Sequence, residues 1–327
     1  MYLFLVFIME YVFLKIFHKF SILDKPRVYG FSRKPVPYSF GIVLYLLFLL
    51  GAFLYNVSFV DYWFLFLGSG IIVVTAFFDD LYKINPLIRL FIQFLVAFLV
   101  VYNGVNIDVI TNPFNFEIIN LSSVSFLISV LWIVFLTNVM NFLDGVEGVS
   151  SGVSSVAFFT IASLTLIPNL HVVDQLDLTI LSLLMVVLSF SAFLLEFPKP
   201  FPKVLVGDSG TMFYGFLLAC FSMLSGGKLF TLLIVLLVPI LDALFVIFYR
   251  IFNKKLPFIG DRNHFHHKLL DFGYRRYQIT LLYFVISIAL GLFALFAWNT
   301  YLKFLAFILC SLGFFISTFY VWNKQKK

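Results

Sequence analysis

The chain has 327 residues, of which 62% are hydrophobic and 12% charged, with a formal net charge of +6 and a mean hydropathy of +1.05. Soluble domains carry about 45–50% apolar and about 25% charged residues, so this composition excludes a soluble fold of this size. Nothing in the sequence suggests a nucleic-acid partner, and the two cysteines, Cys220 and Cys310, sit in apolar runs with no disulfide framework or zinc spacing.

Apolar runs of about 20 residues match the thickness of a bilayer core, and they recur along the whole length. They predict an all-α integral membrane protein with about eleven transmembrane helices, near 1–18, 39–56, 62–78, 87–104, 122–140, 149–167, 178–196, 209–225, 229–250, 278–298 and 301–321. All of residues 1–327 read as a single polytopic domain. The first run is apolar at its start and basic after it, the reverse of a signal peptide, and reads as a retained span. The outer loop from Asn103 to Asn120 is expected to form a short hairpin without chemistry, and Ser225-Gly226-Gly227 a tight turn. With the N-terminus outside, all of the 22 Lys and Arg residues except Lys228 and Lys303 fall on inner loops or helix ends, which places the C-terminus in the cytoplasm. That asymmetry accounts for the net charge, which also suits anionic lipid headgroups and anionic substrates.

The acids and histidines on the inner side form four islands. Asp79-Asp80 ends the third helix, where two adjacent carboxylates repel and both oppose the helix dipole, so a cation or proton is needed nearby. A solvated helix end is the bland alternative. Asn138, Asn141 and Asp144 are three apart and fall within roughly a 120° arc of a helix, giving one polar face at the membrane edge. Gly145, Glu147 and Gly148 follow, and a glycine-rich junction of this kind suits a nucleotide or phosphate cradle. Lys203 to Thr211 opens the eighth helix. There Asp208 reads either as an N-cap or, with the other islands, as a magnesium ligand, since magnesium prefers one or two carboxylates plus substrate phosphates. The fourth island, Asp261 to Lys268, holds Arg262, His264, His266 and His267, three of only five histidines. Arginine and histidine bind phosphate through charge-assisted hydrogen bonds. Asp242, after Pro239, is an intramembrane acid, functional by default or structural through a lysine or arginine near the inner face.

Taken in order, these islands resemble the polyprenyl-phosphate N-acetylhexosamine-1-phosphate transferases. The matching points are Ile22 to Pro26, Arg33 to Pro37, Asp79-Asp80, Arg89 with Gln93, Asn138 to Gly148, Lys203 to Thr211, Pro239 with Asp242, and Asp261 to His267. The interrupted run His264-Phe265-His266-His267 is similar to the bacterial undecaprenyl-phosphate GlcNAc-1-phosphate branch that starts O-antigen, enterobacterial common antigen and teichoic acid synthesis. The departures are Tyr38-Ser39-Phe40-Gly41 in place of a glycine cluster, Glu147 in place of the second Asp of a DGxDG pattern, Thr211 for Ser, and Glu196 near an expected Asn. They bear on sugar specificity more than on reaction type.

The resemblance implies transfer of GlcNAc-1-phosphate, or a 6-deoxy relative such as FucNAc or QuiNAc, from a UDP-sugar to undecaprenyl phosphate, with release of UMP. It places a multi-pass enzyme in the bacterial cytoplasmic membrane with its site facing the cytoplasm. Asp208, with Asp79 or Asp80, would hold Mg2+, with Mn2+ as the alternative, and Asp79 or Asp80 would also prepare the lipid phosphate. Asn138, Asn141, Asp144, Gly145 and Glu147 would line the UDP-N-acetylhexosamine pocket. Lys34, Lys203, Arg262, His264, His266 and His267 would meet phosphates. The partners are the UDP-sugar, undecaprenyl phosphate and membrane lipid, and a homodimer stays open. Two readings from other classes compete: a polytopic transporter with a cytoplasm-facing polar site, which would ordinarily show repeats and broken helices at mid-depth, and a membrane metalloprotease using the histidines.

Overall fold

The computed structural model describes residues 2–25, 34–112, 117–166, 175–199, 202–226, 229–254, 263–297 and 300–324. Within them lie α1 (Tyr2–Lys19), α2 (Gly41–Leu54), α3 (Trp63–Tyr82), α4 (Pro86–Tyr102), β1 (Val109–Thr111), β2 (Ile118–Asn120), α5 (Ser125–Phe142), α6 (Val149–Thr165), α7 (Leu176–Glu196), α8 (Gly207–Leu224), α9 (Leu229–Val235), α10 (Leu237–Phe252), α11 (Phe265–Asp271), α12 (Arg276–Phe296) and α13 (Thr300–Lys324). The β-strands pair antiparallel as the expected hairpin, with Ile110 opposite Ile119. Among the described residues five helices are long and apolar enough to cross a membrane, or six if α9 and α10 make one bent span. The protein is therefore a multi-pass, nearly all-helical membrane protein.

The core is built around α8. Every residue from Ser209 to Met223 is buried, and α3, α5, α2 and α6 pack around it. Tyr214, Phe213, Phe216 and Phe221 fill the interior without exposure. By contrast α4 and α13 turn Phe91, Leu95, Phe98, Ile316 and Phe319 outward, which suits helices whose solvent is lipid.

One expectation needs correction. The run 229–250 is not a single helix: it breaks at Leu236, and α9 and α10 meet at 82°. The cause is Pro239, whose ring collides with the carbonyl four residues earlier and whose nitrogen donates no hydrogen bond. Leu236 and Leu237 are apolar and buried, so the break itself carries no charged group.

Local chemistry sets the turn that matters most. Lys83 ends α3 in the left-handed region at φ 57°. Asn85 then caps α4, its side chain accepting the Leu87 N–H at 2.9 Å, with Pro86 at the first helical position. This tight reversal puts Arg89, one turn into α4, beside the last turn of α3.

Candidate active site

At that reversal the Arg89 guanidinium donates to Asp79 at 2.5 Å and to Asp208 at 2.9 Å, joining α3, α4 and α8. The other Asp79 oxygen accepts the Ile84 N–H at 2.7 Å. Asp80 does something different. Its two oxygens face the start of α8 and accept the Asp208 and Ser209 N–H groups at 3.1 and 3.3 Å. The N-terminus of a helix leaves donors unsatisfied and carries partial positive charge, so a carboxylate from another helix is stabilised there. Asp80 is thus the cap of α8. Asp208 is not: it is the second residue of that helix, and the alternative reading of it as an N-cap is set aside.

The approach depends on Gly207. It opens α8 at φ 67°, and a Cβ there would lie 2.6 Å from Asp80 Oδ2. Tyr38 and Ser39 also hydrogen-bond Asp80, and the Ser39 hydroxyl lies 3.0 Å from that of Ser209. Burial pushes the Tyr38 phenol well above its ordinary value of 10.0, and the charges of Asp80, Asp144 and Asp208 add to the shift. Tyr38 is therefore a neutral donor to Asp80 at any physiological pH. The segment carrying it lies against the stretch before Gly207, with Leu205 N–H donating to the Pro37 carbonyl at 2.8 Å and Phe40 N–H to the Leu205 carbonyl at 3.1 Å. Lys34 and Lys203 are exposed on these two segments.

The second island joins the first and third. Asn138 donates to Gln93 on α4 at 2.6 Å, and Asn141 donates to Thr211 at 3.3 Å and hydrogen-bonds Asp208. Asp144 lies within electrostatic reach of Asp208, Asp80, Glu147 and Glu196, and no ion pair or hydrogen bond engages it among the described residues. Glu147 is engaged already: Arg276, at the start of α12, donates to it at 2.5 Å, and the Thr280 hydroxyl donates to its carbonyl at 2.9 Å.

The histidines are no surface loop. His264 is 4% exposed and His266 fully buried. Asp242 organises them. One of its oxygens accepts the Phe265 N–H at 2.7 Å, capping α11, and the other lies 3.2 Å from His264 Nδ1. Its expected lysine or arginine partner is replaced by His264. The His264 ring stacks near His266 at 5.5 Å between centroids and lies 5.3 Å from Phe142, over which the buried Arg250 guanidinium also sits at 5.7 Å. Both ring nitrogens of His266 are buried without a hydrogen bond. Burial, then charge on His267 and His264, holds the His266 pKa well below 6.5. Its ring packs against the glycine turn so closely that any Cβ at Gly145 would collide with His266 Nε2. Arg262 lies outside the described residues.

The four islands thus form one site at one end of the bundle. Arg89, Tyr38, Ser39, Gln93, Arg276 and Arg250 belong to it or brace it. Arg89 and Gln93 are among the matching points of the family resemblance and Tyr38-Ser39 among its departures, while Arg276 carries no local signal in the sequence. Among the described residues no group of three or more His, Cys, Asp and Glu side chains could cage a metal. The donor set does fit a hard divalent cation completed by phosphate oxygens, because Asp79 and Asp208 converge on one cation, Arg89, and Asp144, whose pKa is raised by burial and by the neighbouring acids, has no ion-pair partner among the described residues.

Comparison with known proteins gives the family. The model of glycosyl transferase family 4 matches residues 62–226, half of the chain. A Bacillus subtilis protein named probable undecaprenyl-phosphate N-acetylglucosaminyl 1-phosphate transferase is 32% identical over 234 residues, covering 70% of this chain and 63% of that protein. The Escherichia coli K12 undecaprenyl-phosphate alpha-N-acetylglucosaminyl 1-phosphate transferase is 24% identical over 292 residues, or 86% of this chain and 77% of its own. A Mycolicibacterium smegmatis decaprenyl-phosphate N-acetylglucosaminephosphotransferase is 29% identical over 245 residues, 68% of this chain and 60% of its own. The matched span begins just before α3 and ends just after α8, enclosing the acid centre and the polar face of α5, and the chain belongs to glycosyl transferase family 4.

Proposed function

We propose that this protein transfers an N-acetylhexosamine-1-phosphate from a UDP-sugar to a polyprenyl phosphate, undecaprenyl phosphate in a bacterial cytoplasmic membrane, and releases UMP. The observation that carries the reading is the junction of Asp79, Asp80, Arg89 and Asp208 at the start of α8, with the α5 polar face and the histidines on its border. The printed names of the relatives support the lipid acceptor and an N-acetylglucosamine donor. Basic residues on the same side as the site support a cytoplasmic face, with the N-terminus outside, eleven spans and the C-terminus inside.

An oxygen of the lipid phosphate attacks the phosphorus attached to the sugar, and the bond to UMP breaks. One phosphoanhydride is broken and one formed, so the step is nearly isoenergetic and reversible with UMP. Such chemistry depends on positioning and charge neutralisation more than on a strong base, since the attacking phosphate is already ionised. Mg2+, or Mn2+ in its place, would supply neutralisation of the pyrophosphate and of the leaving charge, held by Asp208 with Asp79 or Asp80. Arg89 keeps Asp79 and Asp208 at a fixed separation and offsets their repulsion. Asp80 and Tyr38 lock the first turn of α8. Asn138, Asn141 and Asp144 border the donor side, and His264 is oriented by Asp242 for a phosphate contact.

The test is UMP release by the detergent-purified protein with polyprenyl phosphate and a panel of UDP-N-acetylhexosamines, with magnesium or EDTA. Lipid- and metal-dependent UMP is the expected result, and the preferred donor names the sugar. Silence across a panel that includes FucNAc and QuiNAc donors, with no UDP-sugar binding, would sink the reading.

A further inference from the structure

Glu196, the last residue of α7, is 1% exposed and has no part in the reaction described above. Its carboxylate nevertheless spans two of the site's segments. One oxygen accepts the Val206 N–H at 2.8 Å, and the other accepts the Ser151 hydroxyl, in the first turn of α6, at 2.5 Å. Its Cβ also lies 3.7 Å from where a Cβ at Gly148 would stand. Val206 is buried and directly precedes Gly207, so it is two residues from Asp208. Its carbonyl accepts the Gly41 N–H at 3.1 Å, and its N–H has Glu196 as partner. A buried N–H that loses its acceptor is costly, so the turn has reason to keep this bond. Further back, the Lys203 N–H donates to the Leu195 carbonyl at 2.7 Å, which ties the start of the same segment to the same helix end.

We propose that Glu196 is a positioning residue that fixes the Val206-Gly207-Asp208 turn against α6 and the glycine turn at Gly145 to Gly148. Its catalytic consequence rests on the transferase reading, while the strut itself does not. Reach explains the glutamate. Aspartate or asparagine, one methylene shorter, cannot hold Ser151 and the Val206 N–H together, whereas glutamine can, since its amide oxygen accepts from Val206 and the Ser151 hydroxyl turns to accept from its NH2.

The experiment uses the full chain in detergent, with Glu196→Ala, Glu196→Asp and Glu196→Gln. Hydrogen–deuterium exchange is read on peptides covering 203–212 beside peptides from α3 and α5, together with the steady-state kinetics of UMP release. Glu196→Ala and Glu196→Asp are expected to raise exchange at the start of α8 by about tenfold without change in α3 or α5. They should lower kcat by about tenfold or more while the donor KM moves by less than about threefold, the pattern of a misplaced group rather than a lost contact. Glu196→Gln should stay within about threefold of the parent on both readouts. Should Glu196→Ala fail to fold, Glu196→Asp decides. Parental exchange in the shortened variants overturns the proposal, and so does a glutamine variant as impaired as alanine. A parent that releases no UMP from any donor removes the transferase reading and leaves the exchange comparison to judge the strut.

Discussion

The acid centre and the histidine cluster are built by the same device with different backing. In each, a carboxylate from an earlier helix accepts N–H groups at the start of a later one: Asp80 for α8 and Asp242 for α11. Yet α8 has 18 residues packed on all sides, while α11 has seven, and only His266 and Leu269 among them are buried. A helix of two turns has almost no stability of its own, so α11 depends on its cap where α8 merely benefits from one. The same contact is an adjustment in one place and a foundation in the other.

The comparison breaks most sharply at Asp208. Asp208→Asn keeps the size of the side chain but removes a negative charge that would hold the divalent cation, so UMP release should fall by roughly 10²–10³-fold with the thermal midpoint little changed. A variant with near-parental turnover would remove Asp208 from the chemistry. Next comes Asp242→Ala, which strips α11 of its cap and His264 of its partner. A loss near 10²-fold is expected from misplacement alone, and exchange should show α11 melting. Protected α11 amides in that variant would contradict the dependence argued above. Gly145→Ala drives a methyl into the His266 ring, and a donor KM raised by about tenfold, with kcat less affected, would mark that packing as part of the donor side.

Asp80→Ala provides the counterpart to Asp242→Ala. The loss of the cap should cost about 1–2 kcal/mol of stability, read as a lowered thermal midpoint, while exchange shows α8 still helical beyond its first turn. If α8 melts as α11 does, the contrast between the two regions fails. The smallest effect is on acidification. His266 stays neutral in the folded protein, whereas the unfolded chain takes up that proton near the ordinary histidine value of 6.5. Stability from this group is therefore present above pH 6.5 and lost as pH falls below it, so between pH 6.5 and 5 the thermal midpoint of the parent should fall relative to that of His266→Gln.

Much of this was legible in the residues. Apolar runs placed the helices, and the four polar islands were visible because charge is rare in such a chain. The break at Leu236 was hidden only in part: Pro239 was in view, but the angle depends on what α10 packs against. The short α11 gave no local sign, because its cap is Asp242, 23 residues away. Glu147 suggested a pocket residue, and its ion pair with Arg276 could not be seen because 129 residues separate them.

By itself the sequence determined a membrane-embedded helical chain with its polar chemistry gathered at helix ends, because hydropathy and charge spacing are local and the bilayer reads them locally. Only the tertiary structure decided which carboxylate caps α8, which shares Arg89, and which stands unpaired. Those assignments rest on contacts between residues 119 and 128 positions apart, where helix packing and not sequence distance sets the energy.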